Sequence, residues 1–298
     1  MANKLHHNTP IFYSQKLSDK YNSKIYFKAE NLQVTNSFKI RGASNFCQKF
    51  IQINGRPKGF CTHSSGNHGK ALAYVCQQLD LPCKIVVPKD APSIKIQAMK
   101  HLGAEIIFCD PETNSRLLAV KEIEAKGFPQ VPPYNHSWIM QGQGTVATEI
   151  LDQCPDVDGV ICPIGGGGLS GGISEVLDNK SIALIAAEPY LADDAYKSLE
   201  SGTLVDNTRF DTVADGLRAN FGIENFNQLK QCDFFRIVRC SEESINEAAL
   251  YALQEEKLLI EKSSATVLAI LPKIKAELKG KTWVLILSGG NVDPTSLI

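Results

Sequence analysis

The chain has 298 residues, 43% of them hydrophobic, and a formal net charge of -1. That balance fits a globular chain of one compact body or two lobes, and it gives no long-range field to hold nucleic acid or an anionic membrane. No apolar run nears the roughly 20 residues that a membrane helix needs. Residues 1–10 lack the apolar core of a secretion signal. Nine scattered cysteines without a C-x-x-C pair argue against a zinc knuckle or a disulfide framework, so a reducing compartment, the cytoplasm, is expected.

Residues 24–30 alternate, with Ile25, Phe27 and Ala29 against Tyr26 and Lys28, and read as a strand. Apolar spacing over 38–53 is helical. A short strand over 59–65 runs into Gly66 and a helix over 67–79. Then come a strand at 84–88, a helix over 93–102 stopped by Gly103, a strand at 105–109 and a helix over 115–126 stopped by Gly127. Such alternation predicts a parallel sheet covered by helices. Residues 131–137 (VPPYNHS) are a Pro-rich crossing and a candidate hinge. A helix over 144–154 leads to an apolar strand at 159–164, the tetraglycine Gly165 to Gly168, and a helix over 169–177. A buried strand at 182–187 closes on Glu188-Pro189. After a strand at 235–238, Ser241 caps a long helix with Glu242 and Glu243 in its first turn. A helix over 265–278 and a strand at 283–287 end in Ser288-Gly289-Gly290-Asn291. The fold class is therefore α/β and two-lobed, each lobe a mostly parallel sheet under helices. Residues 1–43 and 137–298 form a large domain, and 44–136 a small domain inserted in it.

In open parallel sheets ligands sit beyond the carboxyl ends of strands, and three such ends are unusual here. The tetraglycine presents backbone amides without intrahelical partners at the positive end of a helix dipole, which suits a phosphate, and glycine leaves no Cβ in the way. A plain tight turn is the alternative. The loop matches neither the P-loop nor the dinucleotide fingerprint. Ser64-Ser65-Gly66-Asn67-His68 is a second strand-to-helix turn able to grip a carboxylate, or else an N-cap built on Ser64 or Ser65. Ser288 either caps its turn or donates to a ring nitrogen. Lys39, in Ser37-Phe38-Lys39-Ile40, is an ordinary surface lysine unless desolvation frees its lone pair for Schiff-base chemistry.

These four stretches occur in the order seen in fold-type II pyridoxal-phosphate enzymes, and the chain resembles the serine racemase and serine/threonine dehydratase branch over nearly its whole length. The resemblance implies that Lys39 carries the cofactor, Phe38 packs on its ring, Gly165, Gly166, Gly167, Gly168 and Leu169 cradle its phosphate, Asn67 binds the ring hydroxyl and Ser288 the pyridine nitrogen. A serine hydroxyl there makes the ring a weaker electron sink than a carboxylate would, which favours elimination or racemisation. Ser64, Ser65, Asn67, His68 and Arg116 are implied binders of the substrate, an amino acid. Ser65 is the expected acid–base partner of Lys39 on the opposite face. It stands where many dedicated threonine dehydratases carry alanine, and some 3-hydroxyaspartate dehydratases keep the serine. Glu188, the Ala192 carbonyl and Asp194 resemble a divalent-cation site, with oxygen donors suited to Mg²⁺, Mn²⁺ or Ca²⁺. The expected activity is α,β-elimination of serine or threonine, racemisation of serine, or both, in a homodimer. 3-Hydroxyaspartate dehydration and a non-catalytic phosphometabolite-binding module are the alternatives. Two departures stand out: Glu261-Lys262 replaces a common Glu-Pro, and Lys70 stands where animal racemases carry glutamine.

Overall fold

The computed structural model describes residues 4–91, 93–110, 113–178 and 180–297. The chain opens with strand β1 (Ile11–Tyr13), helix α1 (Gln15–Tyr21), strand β2 (Lys24–Lys28) and helix α2 (Lys39–Asn54). Strand β3 (Phe60–His63), helix α3 (Asn67–Gln78), strand β4 (Cys83–Pro88), helix α4 (Ser93–His101), strand β5 (Glu105–Cys109) and helix α5 (Thr113–Glu124) follow. β3, β4 and β5 pair in parallel, in that order, as the strand–helix alternation predicts.

Helix α6 (Ser137–Gln153) leads to strand β6 (Gly159–Pro163), helix α7 (Gly168–Leu177), strand β7 (Ala183–Pro189) and helices α8 (Asp194–Ser201) and α9 (Ile223–Lys230). Strand β8 (Phe235–Cys240), helices α10 (Glu242–Gln254), α11 (Lys262–Ala269) and α12 (Lys275–Leu278) and strand β9 (Thr282–Ile286) complete the chain. The larger sheet has the order β1-β2-β9-β6-β7-β8, with only β1 antiparallel. Period-two alternation divides its side chains between two cores. Ile25, Phe27, Trp283 and Leu285 face one, and Val284, Ile286, Val160 and Cys162 the other. Because β9, β6 and β7 are parallel neighbours, Ser288, the tetraglycine and Glu188 lie at adjacent carboxyl ends of one sheet, the first two just beyond their strands and Glu188 next to last in β7, before Pro189 closes it.

Two local readings are corrected. α6 begins seven residues before the expected 144, because the His136 ring caps it by accepting from Trp138 N, and its glycines serve packing rather than ending the helix. A Cβ on Gly142 would lie 2.6 Å from both Arg41 O and Gly42 Cα. The helix expected over 265–278 is broken, since Pro272 has no N–H to donate: α11 stops at Ala269 and a 3-10 turn spans Leu271–Ile274. The 131–137 crossing, the candidate hinge, is bonded at both ends. Val131 N donates to Cys61 O (2.8 Å), Val131 O accepts from Thr62 Oγ1 (2.8 Å), and Asn135 Oδ1 accepts from Glu224 N (3.0 Å).

A buried ionic network anchors the start of α2. Arg41 Nε and Nη2 donate to both oxygens of Glu30 (2.7 Å each), and Nη1 and Nη2 to those of Glu149 (2.8 Å each). Buried Lys28 joins through Glu149 Oε2 (2.8 Å). These partners hold Glu149 down at about 2 despite its burial. With each charge hydrogen-bonded, the network fixes the turn that carries Lys39.

Candidate active site

Lys39 is the first residue of α2. Phe38 N donates to Ser288 O (3.1 Å), so the lysine turn is stitched to the end of β9. The Lys39 Nζ donates to Pro133 O (2.9 Å) and lies 5.1 Å from the Phe38 ring centroid. Burial draws its pKa down from 10.5 to about 8, and the negative charge of Glu261 partly opposes this. The amine is thus turned inward, with a far larger neutral fraction near pH 7 than an exposed lysine has.

The segment that receives Lys39 touches the other motifs in sequence. At its start Val131 O lies 3.0 Å from His68 Nε2. One residue after Pro133, Tyr134 packs on Gly166 and Gly168. Lys39 therefore stands between the first turn of α3 and the tetraglycine loop at the start of α7. Neither helix has a side-chain N-cap: the caps are Gly66 and Gly167, the latter at φ +88°. Ser64 Oγ accepts from Gly66 N (3.2 Å), a bond within the turn before α3 and not to an amide of the helix. Capping by Ser64 or Ser65 is thus set aside, and the leading amides of both helices remain available for an anion.

The glycines have a further reason beyond leaving an anion room. A Cβ on Gly166 would strike the Tyr134 ring, and one on Gly167 would lie 2.8 Å from Asn225 Cβ. The side-chain directions thus point into protein packed around the loop, and close approach of these neighbours requires the glycines.

His68 is buried, and burial together with the Lys39 charge pushes it down to about 3. Its neutral ring gives the Nε2 proton to Val131 O, leaving Nδ1 buried as an acceptor. Any hold on a carboxylate at this position falls to its backbone amide rather than the ring. Burial holds the His63 imidazole below its ordinary value, and the charge of Arg116, half-buried on α5, adds to this.

Across the cleft, Asn67 Nδ2 donates to both oxygens of Glu261 (2.9 and 3.0 Å), and Asn67 Oδ1 accepts from Asn291 Nδ2 (2.8 Å). Burial pushes Glu261 up to about 7. Together with Tyr134, Glu261 is a site residue not assigned from the sequence. Its signal was an acid immediately before a helix; that of Tyr134 was the lone aromatic in the Pro-rich crossing.

Beyond the loop, Asp194 accepts from Phe221 N (2.5 Å) and Asn207 Nδ2 (2.6 Å), and Glu188 from Ala195 N (3.0 Å) and Tyr196 N (2.9 Å). Burial raises both carboxyl pKa values, that of Asp194 to about 6, and the nearby charges of Asp194 and Asp193 raise that of Glu188 further. Among the described residues no group of three or more His, Cys, Asp or Glu is arranged to hold a metal.

An inward lysine amine between two uncapped helix starts suits an aldehyde cofactor with an anionic tail. Residues 2–289 match the family model of the pyridoxal-phosphate dependent enzymes. The chain is 38% identical over 303 residues to serine racemase of Dictyostelium discoideum, covering 98% of this chain and 91% of that protein. It is 35% identical over 288 residues to the beta-hydroxyaspartate dehydratase of Paracoccus denitrificans, covering 96% and 91%. Maize serine racemase superposes with a TM-score of 0.91 at 33% identity, covering 98% of this chain and 91% of that one. The chain belongs to the pyridoxal-phosphate dependent enzymes of fold-type II.

Proposed function

We propose that the protein is a racemase and ammonia-lyase of small β-hydroxy amino acids, with L-serine as substrate. One observation carries the reading. The Lys39 amine, drawn down to about 8, is bonded to Pro133, next to the residue that lies on the tetraglycine loop. When bound, pyridoxal phosphate supplies the electron sink that lets the substrate lose its α-proton. The chain's residues would do the rest. The amides at the start of α7 hold the phosphate. Asn67 meets the ring hydroxyl, oriented by Glu261 and Asn291, and Ser288 meets the pyridine nitrogen. The amides at the start of α3, with Ser64 and Arg116, take the substrate carboxylate. Lys39 Nζ moves the α-proton on one face and Ser65 Oγ on the other. Return of the proton from the opposite face inverts the centre, whereas loss of the β-hydroxyl as water leaves a 2-amino-alkenoate whose imine tautomer takes up water to give a 2-oxoacid and ammonia.

Similarity to the beta-hydroxyaspartate dehydratase supports a second reading, in which a 3-hydroxyaspartate is the substrate and Arg116 adds a cation at the cleft. Glu188, the Ala192 carbonyl and Asp194 would hold a divalent cation, Mg²⁺, Mn²⁺ or Ca²⁺, whose charge would offset two carboxylates whose ionised forms burial disfavours. Equilibrium dialysis should find about one such ion per chain, lost in Glu188→Gln. The nine cysteines are all free, which fits a cytoplasmic setting, and a homodimer is proposed by likeness to the family, to be checked by sedimentation equilibrium.

The test is a product assay with L-serine, L-threonine and 3-hydroxyaspartate, following 2-oxoacid and D-serine. We expect turnover that vanishes in Lys39→Ala, and in Ser65→Ala a loss of D-serine about tenfold or more beyond the loss of pyruvate. Equal loss of both products would reject the two-face assignment.

A further inference from the structure

The tetraglycine loop is gripped from two sides. On one side Asn225 Nδ2 and Gly222 N donate to Gly166 O (2.6 and 3.1 Å), and the Phe221 ring lies against Gly167. On the other lies Tyr134. A Cβ on Gly166 would stand 2.5 and 2.6 Å from Tyr134 Cδ2 and Cδ1, and one on Gly168 3.0 Å from Tyr134 Cβ and 3.1 Å from its Cα and O. The loop backbone and this side chain therefore fill each other's space. One residue earlier in the same segment, Pro133 O accepts from Lys39 Nζ (2.9 Å). A single peptide link separates the acceptor of the amine from the ring that presses the loop. Both ends of the segment are fixed, Val131 to Thr62 and Asn135 to Glu224. Tyr134 is thus held by the fold, and the loop rests on it.

We propose that Tyr134 is a positioning residue for the anionic tail of the cofactor. Its ring sets the shape in which the loop amides converge, and its link to Pro133 sets the distance between that loop and Lys39. The proposal rests on the pyridoxal-phosphate reading above. It assigns the work to the ring and not to the hydroxyl. It also gives Gly166 a different reason from direct phosphate contact: an added methyl there would collide with Tyr134 and displace the loop.

The experiment titrates apoprotein with pyridoxal 5'-phosphate and, separately, with pyridoxal, which lacks the anionic tail. Binding is read from the imine absorbance. Capture of pyridoxal 5'-phosphate by the unaltered protein checks the underlying reading, so its failure is told apart from failure of the proposal. Tyr134→Ala should weaken pyridoxal 5'-phosphate binding by about tenfold or more while pyridoxal changes by less than about twofold, and Tyr134→Phe should match the unaltered protein. Gly166→Ala should weaken the phosphate ester similarly. The double variant Gly166→Ala/Tyr134→Ala should be no weaker than the weaker single, because the two changes act on one contact. Three results would overturn the proposal: Tyr134→Ala binding the phosphate ester normally, an equal loss for both aldehydes, or single losses that multiply in the double variant. Circular dichroism confirms folding, and Tyr134→Leu replaces Tyr134→Ala should the latter not fold.

Discussion

At the scale of single residues the chemistry depends on taking one ammonium group out of water. Lys39 has a carbonyl acceptor at 2.9 Å and an aromatic ring beside it, and desolvation outweighs the attraction of Glu261. An amine titrating at about 8 is mostly protonated at pH 7 and mostly free at pH 9. Since the free amine is the nucleophile, the rate at which apoprotein captures pyridoxal phosphate should climb with pH through about 8 and then level off. Stopped-flow absorbance at a series of pH values checks this. A rate still climbing beyond pH ~10, as for an ordinary lysine, would contradict the desolvated setting. The lysine stretch and the glycine run were legible in the sequence, because each is a local signature. Tyr134 and Glu261 were not, because a side chain that acts by packing on a distant loop, or by orienting a distant amide, leaves no periodic or spaced pattern.

At the scale of elements, α6 is the spacer between the helix that begins at Lys39 and the helix that follows the tetraglycine loop. Both contacts depend on glycine. Gly142 lets α6 approach the α2 backbone, and a Cβ on Gly172 of α7 would lie 2.7 Å from Gly144 N. Gly142→Ala should overpack the α2 contact and cost roughly 1–3 kcal/mol, lowering the thermal midpoint by several degrees. A variant melting with the unaltered protein would show that the helices do not need this proximity. The expected helix over 144–154 missed the first two turns of α6, where Gly142 is what the packing requires. The strands were more legible, because alternation in β2 and the apolar runs of β6, β7 and β9 each match the burial of a sheet with two cores.

At the scale of the whole molecule, the fold brings together four stretches that lie far apart in the chain, and it buries ionisable groups in doing so. His68 illustrates the consequence. The unfolded imidazole takes up a proton near pH 6.5, whereas the folded one stays neutral down to about 3, so between these values the unfolded state binds more protons and stability falls as pH falls. His6, pushed down to about 4 chiefly by burial, acts in the same direction, while Glu261, raised to about 7, opposes them between 4.5 and 7. Replacing His68 with glutamine, which keeps an N–H for Val131 O, removes one such group. Relative to the unaltered protein, the variant should therefore gain stability as pH falls from 7 to 4, by at most about 1.4 kcal/mol per pH unit, in urea titrations. Parallel curves would contradict the buried neutral imidazole. The order of the four stretches was readable beforehand, but the contacts of Lys39 with Pro133 and of the tetraglycine with Tyr134 were not, since they depend on where a Pro-rich crossing lies in the fold. If Lys39 carries the cofactor, borohydride reduction of the holoprotein followed by peptide mapping should leave a stable pyridoxyl label on Lys39; a label on another lysine, or none, would show that it does not.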